Sequence, residues 1–297
     1  MKAAADMAPA LAVDRSRPRS LWSDAWARLL KNRAAVFGGV LVIVLILAAL
    51  TAPLIAPFDP IKQDLRSSLQ PPSPTHFFGT DVHGRDIFSR VLHGAAISLR
   101  IGALGTLIGA TIGITLGLIS GFYGGLTDTL IMRVMDVLLA FPGLLLAIAI
   151  VAAIGPGLEN VIIAVGVFSM PEFARLVRGS ILSAKQQEFM LAARVVGARD
   201  VRLMTQHLLP NVLAPILVLA TLRIATAILT AASLSFLGLG AQPPTPEWGA
   251  MLSDGREYLM LAPHVATFPG LAILVTVLGF NLLGDGLRDA LDPRLRV

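Results

Sequence analysis

The sequence holds few residues able to carry out chemistry, and they are scattered. There is no cysteine, which excludes a thiol nucleophile, a thiolate metal site and a disulfide framework. Of five histidines, His76, His83 and His93 fall within 18 residues of one another, but without the local spacing of a ligand set, so they read as structural. No Gly-x-x-x-x-Gly-Lys-Ser/Thr phosphate loop occurs, and the chain cannot hydrolyse ATP by that route. Its apolar stretches contain no Ser/Lys or Ser/His dyad, paired Asp or His-Glu-x-x-His, which leaves no hydrolase arrangement. What remains is charge in unusual places. Asp81, Arg85, Asp86 and Arg90 crowd into ten residues, and Arg223 is the single charge between Leu203 and Pro246. An arginine so placed is costly in lipid and by default marks function.

The elements that must carry these residues are membrane helices. The 297-residue chain is 55% hydrophobic and only 14% charged, against about 25% charged in an average soluble domain. Its charges gather into blocks separated by uncharged stretches: Ala34 to Phe58 (25 residues), Ile101 to Thr127 (27), Val137 to Leu158 (22) and Leu259 to Gly284 (26). A span needs about 20 residues, so each of these is one. A fourth-in-order span over 160–178 requires Arg175 and Arg178 to snorkel, and a fifth runs over about 212–232.

The expectation is therefore an all-α integral membrane protein with six transmembrane helices at about 34–56, 98–122, 136–157, 160–178, 212–232 and 261–283. With the N-terminus inside, 17 Lys and Arg fall on the inner side and five on the outer, which predicts both termini in the cytoplasm. Residues 1–33 form an N-terminal tail, 179–211 an inner loop, and 57–97 and 233–260 the outer loops. The net charge of +5 follows from that inside bias, and nucleic-acid binding is not indicated.

In the second span Gly105, Gly109, Gly113, Gly117 and Gly121 recur every four residues, a stripe that lets another helix approach closely in lipid. Arg223 either faces a translocation path or pairs with Asn281 or a carbonyl of a partner subunit. In the inner loop, Gln187 to Val196 is a strong helix former ended by Gly197, followed by a second helical stretch from Asp200 to Leu209 stopped by Pro210. Phe189, Ala192, Ala193 and Val196 form a face that either inserts into a partner's groove, with Arg194, Arg199 and Arg202 on its rim, or lies on lipid. A secondary transporter usually needs carboxylates near the midplane and paired halves; Asp136 and Glu159 sit at span ends and no repeat is visible.

Ala192-Ala193, Gly197 and His207-Leu208-Leu209-Pro210-Asn211 resemble the EAA loop of ABC-importer permeases, the element that docks on the ATPase subunit. Leu191 stands where the family's motif begins with Glu, so a salt bridge attributed to that Glu does not carry over. Phe78-Gly79-Thr80-Asp81, Gly84-Arg85-Asp86, Leu234 to Gly240, Pro243 to Gly249, and Leu283 to Asp289 with Leu291-Asp292-Pro293-Arg294 are similar to the C-type permease subunit of peptide-importing ABC systems. The similarity runs in one register from about Leu21 to the C-terminus.

The resemblance implies a type I importer permease fold and a transport subunit with no catalytic residue of its own. It implies a bacterial or archaeal plasma membrane, a homologous second permease, two ATPase subunits holding ATP and Mg, and an extracytoplasmic peptide-binding protein. Phe189, Ala192, Ala193, Arg194, Gly197, Ala198, His207 and Pro210 would dock the ATPase. Gly79, Thr80, Asp81, Gly84, Arg85 and Asp86 would form an outer lip for the binding protein, or a structural plug whose charges pair among themselves. Dipeptide, oligopeptide, glutathione-like and nickel-chelate cargo are all compatible with it. Drive would be mechanical, with nucleotide-dependent closure shifting the 188–200 segment and its attached helices as a rigid body.

Overall fold

The computed structural model describes residues 21–291; the N-terminal stretch over 1–20 and the motif residues Asp292-Pro293-Arg294 lie outside them. Among the described residues all regular elements are helical, and the bridge between Thr80 and Asp86 is isolated. Helix α1 (Leu21–Lys31) passes into α2 (Arg33–Ile55) at Asn32, whose side-chain oxygen accepts from the N–H groups of Ala34 and Ala35. That satisfies donors a helix start leaves free. Along α2, Val40, Val44, Leu47 and Leu50 are all more than half exposed, an apolar face suited to lipid.

Helix α3 (Ile87–Tyr123) has 37 residues, about 55 Å, and begins well before the expected span at 98–122. Asp86 is the reason: it is extended, and its side chain accepts from the Ser89 N–H to cap the helix. A larger difference concerns the expected span at 136–157. The chain there forms α4 (Gly125–Ala140) and α5 (Gly143–Ile154), bent by 95° from one another. Phe141 is extended at φ −90°, ψ 138°, as the residue before a proline tends to be, and Pro142 cannot continue a helix from it. At 12 residues α5 reaches only about 18 Å, too short to cross alone, and the bent pair together occupies the place of the one expected span.

Helix α6 (Leu158–Ala184) is followed by the short α7 (Glu188–Val195), then by a helical run over 200–211 that includes a π-helical turn, Leu203–Leu208. The run passes through Pro210 instead of stopping there, because Pro210 starts a new turn in which its missing N–H is not needed. The break comes at Val212, after which α8 (Leu213–Phe236), α9 (Trp248–Gly255) and α10 (His264–Leu291) complete the chain.

Helices α3 and α6 run parallel, and their seam is the glycine stripe. A Cβ on Gly105 would stand 2.7 Å from Val165, on Gly113 2.5 Å from the Met170 carbonyl, and on Gly121 2.9 Å from Ile181. Helix α10 returns antiparallel to α2, with Gly38 against Leu282 and Gly286 against Ala35. The start of α2, the ends of α3, α6 and α10, and residues 185–212 therefore share one end of the bundle. Residues 56–86 and 237–263 share the other, where the Gly157 N–H reaches the Leu239 carbonyl at 3.1 Å.

Candidate functional site

At the first of these ends, α7 lies with one side packed inward. Met190, Leu203 and Leu208 are fully buried in a cluster with Val177, Ile181 and Val212, and Phe189, Ala193 and Ala198 pack against it. The outward side presents Ala192 and Arg194 together with Leu191, Val195 and Val196, which are 61%, 87% and 88% exposed. The face drawn from sequence, with Phe189 and Val196 together, is thus split: Phe189 anchors and Val196 projects. Leu191 and Val195, the other exposed apolar residues, are adjacent to the motif, and their exposure depends on which side of α7 the bundle covers.

Gly197 closes α7 at φ +83°. The Ala198 N–H donates to the Ala193 carbonyl and the Gly197 N–H to that of Arg194, at 3.1 and 2.9 Å, a Schellman motif that needs a left-handed residue at its turn. His207 is half-buried and Pro210 exposed. Just inside this segment, Arg178 forks onto Asp128 through Nε and Nη2, both at 2.6 Å, and the Ser120 hydroxyl donates to the same carboxylate. The Lys185 ammonium donates to the Phe122 carbonyl and sits over its ring. These contacts tie the end of α3, the start of α4 and the end of α6 into one unit.

At the opposite end, the 56–86 connection is held by buried charge. Thr80, Asp81, Arg85, Asp86 and Arg90 are each under 5% exposed. Asp81 accepts from the N–H groups of His83 and Arg85 and from Arg85 Nε at 2.6 Å, with Arg90 Nε at 3.7 Å. Asp86 turns the other way, onto Ser89 and His76 Nδ1 at 2.9 Å. Arg85 also reaches Asp254 in α9, at 3.6 Å. Burial holds the Asp254 carboxyl above its usual range, an effect opposed by Arg85 and Arg90. Gly79 and Gly84 both have positive φ, and a Cβ on Gly84 would fall 1.7 Å from the Asp64 carbonyl oxygen. Among the described residues no group of three His, Asp or Glu side chains converges to hold a metal ion.

Between the two ends, Arg223 does not pair with Asn281. Its Nη2 meets Glu172 of α6, with the side chains 21% and 28% exposed, while Arg223 Nε is buried without a partner. Glu172 is the partner of Arg223 that sequence reasoning missed. The span expected over 160–178 places it nearer one end, whereas α6 extends to Ala184 and brings it near the middle of the helix.

This architecture recurs in a solved transporter. A chain of the MetNI methionine ABC transporter in inward-facing conformations superposes with a TM-score of 0.55 over 68% of this chain and 96% of that one, at 19% identity; a second crystal form gives 0.56 at 18% identity, over 69% and 98%. Residues 113–297 match the model of the binding-protein-dependent transport system inner membrane component. The chain belongs to that family. Residues 20–72 further match the N-terminal transmembrane domain of oligopeptide transport permease C. Glutathione transport system permease proteins GsiD from Escherichia coli O6:K15:H31 and Shigella boydii serotype 4 are each 56% identical over 279 residues, 94% of this chain and 92% of theirs. The chain is thus an ABC importer permease, a multi-pass membrane subunit of a binding-protein-dependent system and not itself an enzyme.

Proposed function

We propose that this chain is one of two permease subunits of an ATP-driven peptide importer in a bacterial inner membrane, with both termini and residues 185–212 in the cytoplasm. The inside bias of 17 Lys and Arg against five supports that orientation. The observation that carries the reading is α7 itself, a helix anchored by Met190 whose Leu191, Val195 and Val196 project without cover. Apolar side chains exposed this far at a membrane protein's aqueous end suit a partner's groove.

The partner in this reading is an ATPase subunit, because the chain has no phosphate loop of its own and import needs a source of energy. ATP and Mg belong to that subunit. Two ATPase subunits closing on nucleotide push α7; Met190, the Arg178–Asp128 fork and the π-helical run pass the displacement to α6 and α8 as one body. Cargo arrives from an extracytoplasmic binding protein at the 56–86 and 237–263 end. The glutathione carried by the GsiD relatives makes a small peptide the class of cargo and glutathione the first to assay.

The test is purification with the neighbouring gene products, reconstitution with the binding protein, and uptake of glutathione with and without ATP. Val195→Asp combined with Val196→Asp should still insert but lose the co-purifying ATPase and ATP-dependent uptake. Retention of both would refute docking through this face.

A further inference from the structure

We propose that Glu172 and Arg223, paired midway along α6 and α8, form a cargo subsite in which Arg223 binds a carboxylate end of a peptide and Glu172 its ammonium end. The inference rests on the permease reading above and adds a recognition site within its pathway.

Position comes first. Glu172 is the fifteenth of 27 residues in α6 and Arg223 the eleventh of 24 in α8, so both lie near the middle of their helices. A lone charge within an apolar helix is costly in lipid. Pairing cancels the net charge, yet an apolar pair of similar size would hold two helices as well or better. Packing alone therefore supplies no reason for these two residues.

Second, the pair is incomplete. Arg223 engages Glu172 through Nη2, and its Nε is buried with no acceptor. A guanidinium is built to grip a carboxylate through two parallel donors, and an arriving carboxylate would supply the missing acceptor. Neither side chain is sealed off, at 21% and 28% exposed.

Third, a polar track leads to it. Thr226, Thr230 and Ser233 lie three, seven and ten residues beyond Arg223, within an arc of about 80° at 100° per residue. Their hydroxyls satisfy themselves on the carbonyls of Arg223, Thr226 and Leu229, so they line a surface without demanding partners. Beyond Ser233 the track meets an open, largely apolar groove of about 460 Å³ that Leu144, Leu229, Phe236 and Leu237 also line.

The energetics favour a zwitterion. A dipeptide such as dialanine brings one charge of each sign into a medium where an unpaired charge is expensive. Exchange of partners, with Arg223 passing from Glu172 to the cargo carboxylate and Glu172 to the cargo ammonium, then keeps every charge opposed, whereas glutathione brings a second carboxylate that this pair leaves unmatched.

The experiment uses the full complex in proteoliposomes with tritiated glutathione and, in parallel, tritiated dialanine. ATP-dependent uptake by the unaltered complex is established first; its failure would refute the permease reading and not this subsite alone. Glu172→Gln combined with Arg223→Gln removes both charges while keeping hydrogen-bonding groups, and should weaken binding of tritiated dialanine to the purified complex, measured without binding protein, at least tenfold with the assembled complex still recovered. Arg223→Lys keeps the charge balance but loses the two-donor fork, and should weaken that binding at least fivefold. If the double variant fails to assemble, the lysine variant decides. Binding within twofold of the unaltered complex in the variants recovered, or no binding to the unaltered complex, would overturn the proposal and leave the pair a purely structural strut.

Discussion

The seam between α3 and α6 offers the sharpest test of the packing argument. At Gly113 an added Cβ would stand 2.5 Å from the Met170 carbonyl oxygen, 2.6 Å from the Phe173 Cβ and 3.1 Å from the Ala174 nitrogen. Two of these atoms are backbone and the third is the root of a side chain, so rotation of a side chain brings no relief. Restoring an ordinary 3.4 Å contact parts the helices by about 0.9 Å at this level, and a gap of that size forfeits roughly a quarter to a half of each dispersion contact nearby. Overpacking of this kind costs about 1–3 kcal/mol, against which alanine recovers up to about 1 kcal/mol of helix propensity. Gly113→Ala should lower the melting temperature of the purified protein by on the order of 1–3 °C, and Gly113→Leu should prevent assembly. Gly39 is the control: its added Cβ meets only the end of Leu283 at 3.7 Å, so Gly39→Ala should be neutral or stabilising. The assay is thermal unfolding in detergent followed by size exclusion. If Gly113→Ala melts at or above the parent, or if the two alanine variants lose the same amount, close approach at the stripe is not what holds these helices.

The remaining predictions concern the two ends. Gly84→Ala meets a left-handed φ, worth about 1–2 kcal/mol by itself, in addition to its clash with Asp64; proteolysis of residues 56–86 should accelerate, and unchanged resistance would count against the turn. Asp128→Asn removes the charged acceptor of the Arg178 fork and should cost about 1.5–3 kcal/mol of stability, read as a lower melting temperature that Ser120→Ala reproduces only in small part. Asp254 sets a pH dependence. Its folded carboxyl binds a proton more tightly than in the unfolded chain, so its contribution to stability is fully present below the ordinary carboxylate range and is lost as pH rises through the raised value. Asp254→Asn should flatten that slope. The side chain is 41% exposed, so solvent screening keeps the effect small, and a variant with an unchanged or steeper slope would refute the assignment.

Much of the architecture was readable from residue order because it is set locally. Five apolar stretches become long helices, Gly197 closes α7 through a turn that only a left-handed residue makes easily, and the Gly105-to-Gly121 stripe falls on one face because its spacing is close to one helical turn. The bend at Phe141–Pro142 was also encoded locally, but an uncharged run of 22 residues masks it: apolar length registers hydrophobicity and is blind to a single backbone restriction. Pro210 misled in the opposite sense, since a proline at the start of a turn ends nothing.

What residue order alone determined is therefore the membrane class, the broad placement of the crossings and the segment α7 to Val212 as a distinct element. Only the packed bundle decided that Glu172 meets Arg223, that Asp86 turns to His76 while Asp81 takes Arg85, and that Val195 and Val196 face outward where Phe189 does not. Periodicity and turn chemistry act between residues a few positions apart, whereas the partner of a buried charge and the covered side of a short helix depend on neighbours tens of residues distant, brought within reach only when α3, α6 and α8 close on one another.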